Sequence, residues 1–224
     1  MIKKLIVVLG VIFPLLITAQ QDSIKSGVYA WRVAPASVQP DAKTIVLFEG
    51  PSRDFSWMQM NATILTGSRE ADRMTVPEGE EHLYIIKTEA LTIQLEDSLY
   101  TLIPGSIALL LPGEKFSLQN TSPASCEYYV MKYRSAKVYE KNKQVNSLHS
   151  FVKDWNKISF HPHDKGGIRI FFETPTSMAR RMEMHVTNLN PGLKSHDPHT
   201  HRAAEIVLVI EGSTEMQIGE KFYQ

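Results

Sequence analysis

The chain has one cysteine in 224 residues, which rules out an internal disulfide. Cys126 reads as a strand residue packed in the interior, and stability has to come from a core, helped by any metal or partner subunit. Net charge is missing too. Lys+Arg and Asp+Glu both number 24, so no long-range field points to nucleic acid. Long apolar runs are absent: the stretch from Leu5 to Ile17 has 13 residues, whereas a membrane helix needs about 20. With Lys3 and Lys4 before it and Ile17-Thr18-Ala19 after it, that stretch reads as a secretory signal peptide. It covers residues 1–19, with cleavage near Ala19-Gln20, and the alternative is an uncleaved anchor. No membrane contact is expected after cleavage. Loss of Lys3 and Lys4 leaves 22 basic residues against 24 acidic, a net charge of −2. The localisation this implies is secreted or periplasmic.

What is present is strand. Residues 20–44 are polar, contain Pro35 and Pro40, and read as an arm. From Ile45 onward short β-rich segments recur, with Gly, Pro and Asp between them: 44–48, 57–65, 83–86, 91–95, 107–111 and 128–131. Such spacing predicts an antiparallel sandwich or barrel. Residues 135–165 are basic and polar and read as a connector, with a short helix expected over 147–155. Strand signals return at 168–172, 182–187 and 206–210.

The two halves resemble each other. At an offset of 124, Thr63, Leu65 and Glu81 meet Thr187, Leu189 and Glu205, and the apolar run 83–86 meets 207–210. At 123, Ile93, Leu95, Leu99 and Tyr100 meet Met216, Ile218, Phe222 and Tyr223. This favours two copies of one β-domain.

The chemistry concentrates near the end. In an extended segment side chains two apart share a face, so His199 and His201 aim at one point. A turn before the next strand can bring Glu205 to it. Two imidazoles and a carboxylate suit a divalent first-row metal. The alternative is a histidine-rich surface loop. His161-Pro162-His163 is a second such pair, but no carboxylate stands at the right distance. Lys194, His196 and Arg202 flank the three ligands, and Glu183 alternates with His185 on one strand face. These four are candidate substrate contacts, against the plainer reading of solvated polar residues.

Gly192, six residues, His199-X-His201, three residues, Glu205, six residues, Gly212 resembles the first motif of the cupin superfamily. The resemblance implies an all-β protein of two tandem jelly-roll barrels: a degenerate N-terminal cupin at 45–134, and a C-terminal one at 166–224 that carries the metal motif. In the first copy the matching positions are Thr75, Pro77 and Glu81, so that copy is expected to be structural or to hold a small apolar molecule. The chain is similar to the bicupin group related to ureidoglycine aminohydrolase. That likeness implies one divalent metal, manganese first with iron, nickel or zinc as alternatives, and aminohydrolase-like action on a small polar molecule. The ligand order His, His, Glu departs from the Glu, His, His order of that group, which leaves the substrate open. A non-catalytic binding cupin and a metal-dependent dioxygenase or isomerase are the other readings. About 34 residues separate Tyr100 from Arg134, whereas only Gln224 follows Tyr223. The second barrel is therefore expected to be truncated, with its fourth ligand beyond residue 224, and a homo-oligomer is a possible partner arrangement.

Overall fold

The computed structural model describes residues 22–31, 36–39, 41–66, 73–136, 148–200 and 202–224. The expected leader, residues 1–19, lies outside them. Two sheets form a sandwich in the first two-thirds of the chain. The larger contains β1 (Ala36–Gln39), β2 (Ala42–Gly50), β3 (Phe55–Leu65), β5 (Glu81–Thr88), β8 (Ile107–Leu110), β10 (Cys126–Ser135) and β11 (Phe151–Lys153). Its order is β1-β2-β3-β10-β5-β8-β11. The smaller contains β4 (Met74–Thr75), β6 (Leu91–Leu95), β7 (Ser98–Leu102) and β9 (Lys115–Gln119), in the order β4-β9-β6-β7. All pairings are antiparallel.

Strand alternation splits the large sheet's side chains between two compartments. Tyr84, Ile86, Ala108, Leu110, Cys126, Tyr128 and Val130 face the smaller sheet and, with Leu91, Ile93, Phe116 and Leu118, form the inner core. Leu83, Ile85, Ile107, Leu109, Tyr129, Met131 and Tyr133 face the other way. That outer core is completed by Phe171, Phe172, Met178, Met182 and Met184 from later in the chain. Cys126 is fully buried, and burial pushes its thiol up to about 12, as suits a packing residue.

The later segments are β12 (Phe160–His163), β13 (Gly166–Thr174) and β14 (Met182–Leu189) in one sheet, and the hairpin β15 (Met216–Ile218) with β16 (Lys221–Tyr223). Their pairings repeat the first half. Ala36 pairs with Ile45 and Phe160 with Arg169; Ala42 pairs with Leu65 and Gly166 with Leu189. Each later number exceeds the earlier by 124. The same holds for the bulges at Val46/Phe48 and Ile170/Phe172. It also holds for the backbone hydrogen bonds Thr66 N to Asp41 O and Asn190 N to Lys165 O.

Two expectations fail. Of the helix expected over 147–155, the described residues 148–154 form none; Phe151–Lys153 instead pairs with β8, and a single 3-10 turn follows at Trp155–Lys157. Pairing along an open sheet edge overrides a weak local preference. Residues 206–210 form no strand. In the first half the matching strand, β5, is held between β8 and β10. No described strand lies alongside 206–210, and Ile206, Val207, Val209 and Ile210 are exposed.

Candidate functional site

The motif sits in an exposed loop between β14 and β15. It leaves β14 through a turn at Pro191-Gly192, where Gly192 takes a φ of 74°, a left-handed value that favours glycine. Lys165 Nζ, at the β12–β13 turn, donates to Ser195 O at 2.9 Å, and Lys194 Nζ donates to Asp197 Oδ1 at 2.7 Å. The Lys194 ammonium holds the Asp197 carboxyl below its usual range. The imidazoles of His196 and His199 meet edge to face with centroids 4.6 Å apart. Each Nδ1 lies 3.1 Å from the carbonyl oxygen of Asp197. A backbone carbonyl accepts only, so each Nδ1 donates to it, the kind of contact by which a carbonyl orients a metal-ligating histidine. His201 lies outside the described residues; Glu205 and Arg202 are exposed in the same loop. Among the described residues no three His, Cys, Asp or Glu side chains converge as a metal cluster.

Glu183 stands on β14 within a second polar group. Arg181 Nε donates to Glu173 Oε1 at 2.6 Å and its Nη2 to Glu183 Oε2 at 2.5 Å, and His185 Nδ1 lies 3.3 Å from Glu183 Oε1. At the offset of 124 these positions correspond to Glu49, Trp57, Gln59 and Asn61, which run from exposed Glu49 at the rim of the first sandwich to buried Asn61. There Trp57 Nε1 and Gln59 Nε2 both donate to Glu49 at 3.0 Å, and Asn61 Nδ2 donates to Gln59 Oε1 at 2.9 Å.

The motif's match in the first half needs correction by one residue. Glu89 and Glu96 are non-glycine residues with positive φ, 55° and 50°; Gly212 and Gly219 have 80° and 62°. Each pair differs by 123, so in this region the halves align at 123. His199, His201 and Glu205 then meet Val76, Glu78 and His82, in place of Thr75, Pro77 and Glu81. Strand direction agrees. Val76 is buried in the inner core and His82 is buried on the same face of β5 as Tyr84, whereas Thr75 is exposed. Glu81 points into the outer core, accepting a 2.6 Å hydrogen bond from Tyr133. Burial raises the Glu81 carboxyl above its ordinary value, against the hydrogen bonds it accepts.

Sequence reading missed His82 and Asn61. Residues 83–86 are apolar on both faces of β5, so alternation carries no signal there. The positive-φ turns were the available clue, because Gly219-Glu220 aligns with Glu96-Asp97 only at 123.

No protein-family model matches the chain, and the search of curated proteins found no match. Solved structures do match. Protein Ylba from E. coli superposes with a TM-score of 0.54 at 14% identity, over 74% of this chain and 64% of that one. A structural-genomics target from Pseudomonas aeruginosa gives 0.49 at 16%, over 61% and 52%. A cupin superfamily protein from Desulfitobacterium hafniense gives 0.36 at 10%, over 44% and 83%. The fold is the cupin jelly roll. At these identities the likeness concerns fold alone. The chain spans about half the length of the Pseudomonas protein and just under two thirds of Ylba.

Proposed function

We propose that this chain is a secreted bicupin metalloprotein that holds one divalent metal through His199, His201 and Glu205. It acts on a small polar molecule in an aminohydrolase-like manner. The observation that carries the reading is the ligand motif itself, with the His199 ring oriented through Nδ1 by the Asp197 carbonyl. The donor set of two imidazoles and a carboxylate suits a divalent first-row metal; the resemblance to the ureidoglycine aminohydrolase-related group puts manganese first, with iron, nickel or zinc as alternatives. The 124-residue repeat of strand registers and bulges supports a duplicated domain. When bound, such an ion polarises a carbonyl or acidifies a coordinated water. Lys194, His196, Arg202 and Glu183 would bind and orient the substrate. Export rests on the basic, apolar leader. Self-association is favoured by the exposed apolar side chains at 206–210.

Elemental analysis of the purified, manganese-loaded protein is expected to find about one metal per chain, lost in His199→Ala and in Glu205→Ala. Metal-free wild type after loading sinks the reading. Ammonia release from ureidoglycine and small amides by the loaded protein separates an enzyme from a binder. The second reading is a non-catalytic binding cupin. A dioxygenase or isomerase is a further alternative at the same metal.

A further inference from the structure

Two buried acceptors in the first sandwich have nothing to accept. Asn61 Oδ1 and His82 Nδ1 have no hydrogen-bond partner among the described residues, and the two residues are 5% and 6% exposed. A buried polar atom left unpaired costs about 1–3 kcal/mol, and native interiors leave few of them.

Their neighbours fix both atoms as lone pairs. The indole N–H of Trp57 only donates, and the Glu49 carboxylate takes it together with the amide N–H of Gln59. Gln59 Oε1 therefore accepts, Asn61 Nδ2 donates to it, and Asn61 Oδ1 is left over. On the other side Arg134 donates to Glu80 Oε1 through Nε at 2.9 Å and through Nη2 at 2.5 Å. His82 Nε2 lies 3.0 Å from Glu80 Oε2. The carboxylate accepts there, so Nε2 holds the proton and Nδ1 is bare. Burial lowers the His82 imidazole below its ordinary value, which agrees with a neutral ring.

These groups share one face. Gln59, Lys132 and His82 are direct partners across β3, β10 and β5, and Asn61, Val130 and Tyr84 form the next row inward. Lys132, half-buried, adds an ammonium beside His82. Exposure grades from Glu49 and Arg134 at the rim, with Arg134 over the Trp57 ring at 4.8 Å, to the buried acceptors inside.

We propose that this end of the first sandwich is a binding site for a small neutral amide bearing a further N–H or O–H donor. Its donors go to Asn61 Oδ1 and His82 Nδ1, and its carbonyl accepts from Lys132. The alternatives fit worse. An apolar molecule leaves both acceptors unpaired, a carboxylate sets its oxygens against them, and a metal cation meets Lys132. The site is independent of His199, His201 and Glu205.

The test is a titration of the full-length, ¹⁵N-labelled protein with glycolamide, read by long-range correlation on the imidazole nitrogens. The bare Nδ1 resonance of His82 is expected to move saturably with glycolamide and not with acetate. Asn61→Leu is expected to weaken that response at least about tenfold, since it removes an acceptor the ligand would use. Lys132→Met weakens the response in the same way. His199→Ala leaves it unchanged, so failure here is separable from failure of the metal reading. A response that does not saturate, or one that persists in Asn61→Leu and Lys132→Met, overturns the proposal.

Discussion

Replacing Tyr133 by Phe removes one oxygen from the joint between the large sheet and the β13–β14 segment. Tyr133 is fully buried, and its hydroxyl donates to Glu81 Oε2 at 2.6 Å, with Met182 Sδ 3.2 Å away. The other oxygen of Glu81 accepts from Met178 N at 3.2 Å, so one carboxylate bridges residues 97 apart in sequence. A hydrogen bond to a charged, buried acceptor is worth about 1.5–3 kcal/mol. For a chain of this size that lowers the melting midpoint by about 3–12 °C. The pH dependence is signed. Burial raises the folded-state value of Glu81 above the ordinary carboxylate value. Its contribution is therefore complete below the unfolded value and is lost as pH rises through the raised one. Tyr133 stabilises the ionised form and limits that loss. The penalty of Tyr133→Phe should accordingly grow between about pH 4 and about pH 8. The assay is denaturant unfolding of wild type and variant at both values. A penalty below about 0.5 kcal/mol, or one that does not change with pH, refutes the account of this joint.

Ile86→Ala opens a cavity in the inner core at a fully buried position and should cost about 2–5 kcal/mol in denaturant titration; a loss under about 1 kcal/mol contradicts the packing described. Gly105 has a φ of 86°, and a Cβ there would stand 2.5 Å from the Trp155 ring. Gly105→Ala should therefore displace Trp155 and shift the tryptophan emission, and an unchanged spectrum with an unchanged melt rejects that contact. Cys126 should resist iodoacetamide in the folded protein and react after unfolding, because it is fully buried with its thiol pushed up to about 12. Rapid labelling under native conditions would place it elsewhere.

The sandwich was legible where alternation was strong. Leu91–Leu95 alternates and ends in Glu96-Asp97, and its strand bounds agree with the reading. The strand over 44–48 lengthens to Ala42–Gly50 and that over 57–65 starts earlier, at Phe55, through pairing that local composition does not encode. Phe151–Lys153 was not readable, because three residues carry no period and their strand exists only through the edge of β8. Residues 206–210 failed in the opposite sense: the side chains are those of a strand, but a strand also needs a ladder. At the site, the residue types of the motif were plain from spacing. The direction of each side chain was not. Glu81 and His82 are neighbours whose faces depend on pairing with β10, and only that pairing sends the carboxylate to one core and the imidazole to the other.

That neighbouring pair makes the fold's chemistry unusually easy to rewrite. Exchanging the order of Glu81 and His82 would leave composition, net charge and strand length untouched. It would nevertheless move an acid into the sandwich beside Lys132 and a base against Tyr133, because successive residues of a strand lie on opposite faces. In the second half the corresponding residues are Ala204 and Glu205, and there the acid holds the place of His82. A drift of one position in a strand is thus enough to exchange an imidazole for a carboxylate on the face that lines the sandwich. The chemistry of that face changes while the apolar positions that build the core stay where they are.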